Sequence, residues 1–420
     1  MKFSKSSQLF LVSSIGLLVA TVLTACSITT IDYVYVASAA ASGSSGDGQI
    51  ETYAVDSQSG ALRTVAAVVS SGGANPVAMA VTSDYANLYV ANAGSSSIVH
   101  LSVGLDGTLT SKDTLPLGSR PTALAVNTAG TYLYVVSGTD SATLTEYALS
   151  SGTIGSQTAQ EKLSLSPISA GYGGDTLIAT GVAVLADNTT IHGNGVFVSV
   201  YDQSAYNPAA PAGTVFSTAN PGWVFGFTIG SDGALTAATA SGLPMIWQAG
   251  VKPSALAADP TDRFLYVTDY ASNELIGYTI LGGNNLSFLT NGPFKTGNEP
   301  AALAIDPTGK FIYVTNALDS TISAFAITLA NGTPTVVLGP AGTQLNATDT
   351  EPVAIAIDPA LGRYVYSANY LGNSVSGFRL DPTSGALTGT QAAPYPSTGS
   401  EPAALVVVPH GNHATQTVVP

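Results

Sequence analysis

The sequence predicts an all-β chain folded as a seven-bladed β-propeller with four-stranded blades, in which the C-terminal strand joins the N-terminal blade. Three observations predict this fold. A short segment that opens on Pro-x-Ala recurs roughly every 50 residues over most of the chain. An aromatic residue within a β-rich run follows most copies, and no segment after the N-terminal region shows helical periodicity.

Each repeat divides into four short strands, which we call strands a to d in chain order. In the copy that begins at Pro300, "AALAI" is strand a, "DPTGK" a turn, "FIYVT" strand b, "TISAFAI" strand c and "TPTVVL" a weaker strand d. Repeats of this length with four strands each are typical of propeller blades. The opening residues are Pro76, Pro121, Pro253, Pro300, Pro352 and Pro402, with a degenerate copy around Ala179.

The two ends of the chain hold incomplete repeats that complement each other. The run "YVYVAS" from Tyr33 has no strand a before it, and "EPAALVVVP" near the C-terminus has no strand b after it. We therefore expect residues 402–408 to form strand a of a blade whose other strands come from residues 31–70, which would leave no sheet edge open at the closure. The propeller would span residues 31–409, followed by a C-terminal tail at 410–420.

The N-terminus has the pattern of a bacterial export signal. Lys2 and Lys5 precede an apolar stretch from Leu9 to Leu23, and "LTAC" at residues 23–26 resembles a lipobox. The resemblance implies that residues 1–25 are a lipoprotein signal peptide, that Cys26 is lipidated, and that residues 26–30 form a short tether. The chain would then be anchored in the bacterial cell envelope, facing the periplasm or the exterior. The alternative is a chance cysteine after an uncleaved anchor.

Composition excludes several kinds of partner. The formal net charge is −14 and only 9% of residues are charged, so a basic surface for nucleic acid is not expected. For the same reason, contact with a membrane is expected through the lipid anchor only. Cys26 is the only cysteine, which excludes an internal disulfide. We expect a monomer.

The strand b sequence carries a family resemblance. "IYVTN" at residues 312–316, after "AIDPTGK", resembles the YVTN-repeat, lactonase-like family of seven-bladed propellers, and the resemblance extends from Ile31 to Pro409. The family includes 6-phosphogluconolactonases and muconate-lactonizing enzymes. In its enzymes an Arg-His pair typically follows the opening proline. The matching positions here carry no basic residue: Val77–Ala78, Thr122–Ala123, Ser254–Ala255, Ala301–Ala302, Val353–Ala354 and Ala403–Ala404.

A candidate binding site lies at the mouth of the propeller channel, where the d-to-a and b-to-c connections should meet. The residues directly before the opening prolines make this rim half acidic and half basic, able to hold a cation, a small molecule, a sugar or a protein partner. The alternative is a plain solvated rim. The candidates are Asn75, Arg120, Lys252, Glu299, Glu351 and Glu401.

One connection is much longer than the others. Residues 202–222 replace a short b-to-c loop and would lie over the mouth, where Tyr206, Phe216 and Trp223 could stack on a planar or sugar ligand. A passive cap is the alternative. No cofactor or metal site is expected, because the four histidines are far apart in the chain and "HGNH" at 410–413 belongs to a polar tail.

Two functions therefore stay open. In the first, the protein is a membrane-anchored, extracytoplasmic scaffold that binds a ligand or another protein. In the second, which the family resemblance implies, it is a carboxylic-ester hydrolase of the lactonase type, similar to 6-phosphogluconolactonases and acting on a sugar or other lactone. The absence of the Arg-His pair favours the first. Whether the protein is an enzyme is left open by the sequence.

Overall fold

The computed structural model describes residues 29–40, 46–165, 176–186, 194–203, 221–230, 234–237, 239–240, 243–290, 292–337 and 345–418. Strands dominate these residues, and the helical turns found among them are two 3-10 helices, Gly282–Asn284 and Gly411–Thr415. No helix in the described ranges is both long and apolar enough to cross a membrane. Cys26, Tyr206 and Phe216 lie outside the described residues.

Seven antiparallel sheets confirm the predicted blades, which we number I to VII from Pro76. Blade I has strands Pro76–Val81, Asn87–Asn92, Ser97–Val103 and Leu109–Pro116. Blade II has Pro121–Val126, Tyr132–Ser137, Thr143–Ser150 and Thr153–Lys162. Blade III has Leu177–Val184, Gly195–Asp202, Gly222–Ile229, Leu235–Ala237 and Ile246–Gln248, and a hairpin of Thr239–Ala240 with Leu243–Pro244 interrupts its outer edge.

The remaining blades follow the same order. Blade IV has Pro253–Ala258, Phe264–Asp269, Glu274–Leu281, Asn285–Phe288 and Phe294–Lys295. Blade V has Pro300–Ile305, Phe311–Asn316, Thr321–Ile327, Pro334–Val336 and Leu345–Ala347. Blade VI has Pro352–Ile357, Tyr364–Asn369, Ser374–Leu380, Leu387–Gly389 and Tyr395–Pro396. In blades III to VII the outer strand d is split into two pieces that pair with different ends of strand c.

Blade VII closes the ring as predicted. Its strand a is the C-terminal strand Ser400–Pro409, which pairs antiparallel with strand b, Thr30–Ala39. Strands Gln49–Asp56, Leu62–Thr64 and Val69–Ser70 complete the sheet. Around the axis, strand a of each blade contacts strand a of the next, and that of blade VII contacts blade I. The closure joins residues from the two ends of the chain without an open edge.

The hydrophobic core consists of seven clusters, one between each pair of neighbouring blades. Each cluster contains at least one buried strand b aromatic, as the sequence predicted for the widening wedge between blades. In blades V and VI these aromatics lie opposite an alanine of strand a, Tyr313 opposite Ala304 and Tyr366 opposite Ala356. A small residue near the axis thus packs beside a large one further out. The seven aromatics are Tyr35, Tyr89, Tyr134, Phe197, Tyr266, Tyr313 and Tyr366.

The hydroxyl groups of these tyrosines connect one blade to the next. In blade V, Tyr313 donates a hydrogen bond of 2.8 Å to the carbonyl of Gly385, in the c-to-d turn of blade VI. Burial raises the pKa of the Tyr313 hydroxyl, so it remains a donor at all ordinary pH values. The same contact joins Tyr35 to Gly107, Tyr89 to Gly152, Tyr266 to Gly332 and Tyr366 to Gly60.

The turns between strands a and b are fixed by buried aspartates, as the Asp-Pro pattern indicated. In blade V, Asp306 accepts hydrogen bonds from the backbone N–H groups of Lys310 at 2.8 Å and Phe311 at 2.7 Å. Asp259 makes the equivalent contacts in blade IV with Arg263 and Phe264. These turns lie at the ends of strands a and mark the face of the ring opposite the mouth.

The inter-blade contact predicts which glycines the fold requires. Gly385 has φ +74°, and a Cβ there would lie 2.3 Å from the ring of Phe311. Gly385→Ala should therefore destabilise the fold by at least about 2 kcal/mol, from the left-handed backbone and the clash together. Gly389 in the same blade has open space around it, and Gly389→Ala should change stability by less than about 0.5 kcal/mol. Denaturant unfolding of both variants measures the difference, and equal losses would contradict this account of the turn.

Candidate functional site at the channel mouth

The predicted mouth residues occupy equivalent positions in their blades. The carbonyl of Glu299, directly before strand a of blade V, accepts a hydrogen bond of 2.9 Å from the N–H of Ala317, the first residue after strand b. The d-to-a and b-to-c connections therefore share one face of each blade. The same bond joins Asn75 to Ala93, Arg120 to Gly138, Lys252 to Tyr270 and Glu351 to Tyr370. Glu401 is the second residue of strand a of blade VII, Ser400–Pro409.

The three glutamates of the rim have left-handed backbone conformations. The φ angles are 55° at Glu299, 59° at Glu351 and 54° at Glu401. A residue with a Cβ is disfavoured there by about 1–2 kcal/mol, so the surrounding loops must hold it. The N–H of Glu299 donates to Oδ1 of Asn273 at 2.8 Å, and that of Glu401 donates to Oδ1 of Asn373 at 2.8 Å. The side chains thus leave the backbone in fixed directions.

The three carboxylates are close enough to influence each other. Burial raises the pKa of the Glu351 carboxyl, and the charges of Glu299 and Glu401 raise it further. Glu351 belongs to the blade between the other two, so it feels repulsion from both sides. Hydrogen-bond donors or a positive charge entering the mouth would relieve this repulsion.

Lys252 provides a positive charge next to the glutamates. Its ammonium lies 4.4 Å from the ring centroid of Tyr270 and 5.8 Å from that of Tyr201. Burial lowers the pKa of Lys252, and the charge of Glu299 opposes this shift. Tyr270 in turn donates a hydrogen bond of 2.7 Å to Oε2 of Glu299. Lys252, Tyr270 and Glu299 therefore form a connected group across blades IV and V.

Blade VI repeats the tyrosine at the same position. Tyr370 follows strand b directly, as Tyr270 does in blade IV. Burial raises the pKa of its hydroxyl, as do a hydrogen bond with Glu401 and the charge of Glu351. Sequence reasoning missed both tyrosines. Their signal was an aromatic one residue beyond strand b, in "TDYASN" and "SANYLGN", where blades I, II and V have alanine or glycine.

The structure brings together Lys252, Glu299, Glu351 and Glu401 among the predicted residues. Asn75 and Arg120 are exposed at the equivalent positions of blades I and II. The structure places Trp223 near the start of strand c of blade III, directly after the 202–222 connection, where it pairs with Val200. Its half-buried side chain packs against the core between blades II and III. Most of the predicted 202–222 loop lies outside the described residues.

Surface clefts in the described part of the chain lie away from the axis. A cleft of about 240 Å³ on the mouth face is lined by Gln248, Asp269 and Glu274 among others. Larger clefts of about 380 and 650 Å³ lie at the outer edges of blades VII and IV. Neither of these includes a mouth residue, so size alone does not locate the site. The convergence of charged side chains at the mouth is the stronger indication.

The C-terminal tail differs from expectation. The sequence indicated a polar extension, but His413 is buried, and its Nε2 atom lies 3.0 Å from Oδ1 of Asp358. Asp32 belongs to the same group. Sequence reasoning missed this cluster because its members come from three distant parts of the chain.

Comparisons with known proteins place the chain in a family. The lactonase, seven-bladed β-propeller family matches residues 47–165, 224–339 and 285–409. The chain belongs to this family, as its strand b sequence indicated. No functionally curated protein sequence matches the chain.

Solved structures share the fold at low sequence identity. A periplasmic gluconolactonase of Pseudomonas aeruginosa is 19% identical, with a TM-score of 0.68 over 90% of this chain and 99% of its own. A proposed 6-phosphogluconolactonase of Bacteroides fragilis is 18% identical, with a TM-score of 0.68 over 91% of this chain and 99% of its own. A Lactobacillus plantarum protein is 16% identical, with a TM-score of 0.64 over 90% and 99%. At these identities the likeness concerns the fold alone.

The carboxylate repulsion at the mouth predicts a pH-dependent effect of Glu351→Gln. In the folded chain the pKa of Glu351 is raised above its ordinary value of 4.5. The charge of this residue therefore lowers the free energy of unfolding as the pH rises above that value. The variant should therefore melt at a higher temperature than the parent at pH 7, and the difference should shrink below pH 4.5 or in high salt. Glu161→Gln, on the outer strand of blade II, is the control. A Glu351→Gln effect independent of pH would contradict the repulsion.

Proposed function

We propose that the protein is an extracytoplasmic binding propeller whose mouth holds a small polyhydroxylated ligand of the sugar or sugar-lactone class. The observation that carries this proposal is the connected group of Lys252, Tyr270 and Glu299, placed beside Glu351 and Glu401. Carboxylates accept hydrogen bonds from neighbouring hydroxyl groups, and an ammonium donates to ring or carbonyl oxygens. Tyrosine adds an aromatic face together with a polar hydroxyl.

The arrangement of the mouth suits an uncharged ligand better than an anion. Three glutamates on consecutive blades oppose a phosphate, and a single half-buried lysine does not balance them. Membership of the lactonase family supports the sugar-lactone class. The Arg-His positions of the family's enzymes hold apolar or hydroxyl residues here, which favours binding over turnover.

Lactone hydrolysis is the second candidate, and a specific observation favours it. The raised pKa of Glu351 strengthens it as a proton acceptor. In such a reaction Glu351 would take a proton from water as the water attacks the lactone carbonyl. The ring oxygen would leave and be protonated, giving the hydroxy acid.

Binding is tested by calorimetric titration of the purified full-length chain with glucono-δ-lactone, D-glucose and D-gluconate. We expect saturable binding of at least one of them, weakened about tenfold or more in Lys252→Gln, which removes a charge-assisted hydrogen bond. Lys162→Gln, an exposed lysine on the outer strand of blade II, should bind like the parent. Failure of every probe to bind, or equal effects of the two lysine variants, would contradict a sugar site at the mouth.

A pH-stat measurement with the same lactone separates the two functions. We expect acid release at the spontaneous rate. Release above that rate that is lost in Glu351→Gln would support the hydrolase instead.

Anchoring through Cys26 is part of the proposal. Strand b of blade VII begins at Thr30, and the four residue steps from Cys26 reach at most about 14 Å. Lipid on Cys26 would therefore hold the a-to-b turns near the membrane and leave the mouth facing solution. This orientation suits a protein that meets ligands arriving from solution.

Thiol labelling in intact membranes tests the orientation. We expect Asn75→Cys, at the mouth, to react with a bulky thiol reagent several times faster than Lys310→Cys, in an a-to-b turn, because the membrane would shield only the second. After solubilisation in detergent the two exposed sites should react at similar rates, which is the control. Equal rates in membranes would contradict the proposed orientation.

A further inference from the structure

A second cluster of functional groups lies at the opposite face of the ring from the mouth. Asp358 directly follows strand a of blade VI, whereas Glu351 directly precedes the same strand. Six extended residues separate them, a distance of about 20 Å. Asp358 is joined there by Asp32, near the start of strand b of blade VII, and by His413, in the C-terminal turn. The cluster therefore lies where the ring closes.

The three side chains are excluded from water and close together. Asp32 and Asp358 are 0% exposed, and His413 is 5% exposed. One potential ligand atom from each lies within 4.8 Å of the others. Within the described residues this is the only group of three or more histidine, cysteine or acidic side chains that meets such spacing.

The ring of His413 lies between Gln416 on one side and the two aspartates on the other. Nδ1 lies 2.7 Å from Oε1 of Gln416, and a carbonyl oxygen only accepts, so Nδ1 carries a proton. The second ring nitrogen, Nε2, faces the two acids. This atom lies 3.0 Å from Oδ1 of Asp358 and 3.4 Å from Oδ1 of Asp32. Nε2 and the two carboxyl groups therefore converge on one position, as the ligands of a bound cation would.

The two acids differ in the number of hydrogen bonds that they accept. Neither carboxylate oxygen of Asp32 takes part in a hydrogen bond, although the residue is completely buried. The Asp358 carboxylate is held in place by the backbone N–H groups of Ala360 at 2.9 Å and Arg363 at 3.1 Å. Both carboxyl groups therefore lie next to His413, but Asp358 accepts hydrogen bonds from the backbone and Asp32 accepts none.

We propose that Asp32, Asp358 and His413 bind a divalent transition-metal cation of the zinc class. Zinc takes imidazole nitrogen and carboxylate oxygen at about 2.0–2.2 Å, which places neighbouring ligand atoms about 3.3–3.5 Å apart in a tetrahedron. The distance of 3.4 Å from Nε2 to Asp32 lies in this range, and the distance of 3.0 Å to Asp358 is about 0.3 Å below it. The imidazole ligand argues against magnesium and calcium, which prefer oxygen alone.

The surroundings of His413 fit this role. Histidine ligands usually donate their second ring N–H to a carbonyl or carboxylate, which fixes the tautomer, and Gln416 accepts that bond here. The turn is also tied to blade VII by the N–H of His410, which donates to the carbonyl of Ile31 at 2.6 Å. The cation would thus join blade VI, blade VII and the C-terminal turn, and hold the closing strand in place. The role is structural and does not depend on the ligand at the mouth.

Metal content and thermal unfolding test the proposal on the purified full-length chain. After removal of metals with a chelator and addition of Zn²⁺, elemental analysis should find about one zinc per chain. The Tm should rise and stop rising at about one equivalent, because the cation binds only the folded state. His413→Gln should lose both the metal and the rise in Tm. His410→Gln, three residues earlier in the same turn, should keep both.

Asp32→Asn keeps the proposal testable if His413→Gln unfolds. This variant keeps the shape of the side chain and cannot carry a charge, so the metal-free protein should remain folded by circular dichroism. It should have at least about tenfold weaker zinc affinity and lose the zinc-dependent rise in Tm. If Gln416 instead donates its amide N–H to His413, a neutral histidine bridges the aspartates without metal. Zinc would then neither bind in stoichiometric amount nor change Tm, and either result would overturn the proposal.

Discussion

The fold depends on the contact between the strand b tyrosine of one blade and the c-to-d turn of the next. A phenol buried in an apolar wedge needs a hydrogen-bond acceptor, and the carbonyl of the turn glycine provides it, at 2.8 Å between Tyr313 and Gly385. Glycine is required at position 385 for two reasons. The backbone has a φ of +74°, and a Cβ would clash with the ring of Phe311. In five of the seven blades this contact fixes the position of the next blade. The same contact joins Tyr366 to Gly60 across the closure, so the two ends of the chain obey the rule that orders its middle.

The features that were predictable from the sequence are those that repeat. Strands a, b and c, the aspartate turns and the closure by residues 402–408 follow from local patterns seen several times. The split of strand d was not predictable, because the outer strand has no facing neighbour to impose a sequence period. The packing of Trp223 against the core between blades II and III was not predictable, because blade III lacks the opening proline and carries a long insertion. The grouping of His413 with Asp32 and Asp358 is set by ring closure, which leaves no signal in local spacing.

The repeated segment serves the frame along most of its length and the sites only at its ends. Within strand a, alanines such as Ala304 are dictated by the tyrosine opposite. The residue before the strand is under a different constraint. Its left-handed backbone suits asparagine, and Asn75 occupies it in blade I with φ 54°. Glutamate in blades V, VI and VII goes against that local preference, although Glu299 accepts a hydrogen bond from Tyr270. We therefore explain the carboxylates at the mouth by the ligand proposed to bind there.

Strand a of blade VI has an acid at each end, and the two acids differ in their exposure to water. Glu351 is only half-buried, so water and salt screen its repulsion from Glu299 and Glu401, and this end of the strand does not need a permanent counter-charge. Asp358 and Asp32 are excluded from water, where two carboxylates beside one imidazole cannot remain uncompensated. A buried arrangement of this kind requires a proton or a cation at all times. Carboxylates thus suit the proposed reversible ligand site at one face of the ring and the proposed structural cation site at the other.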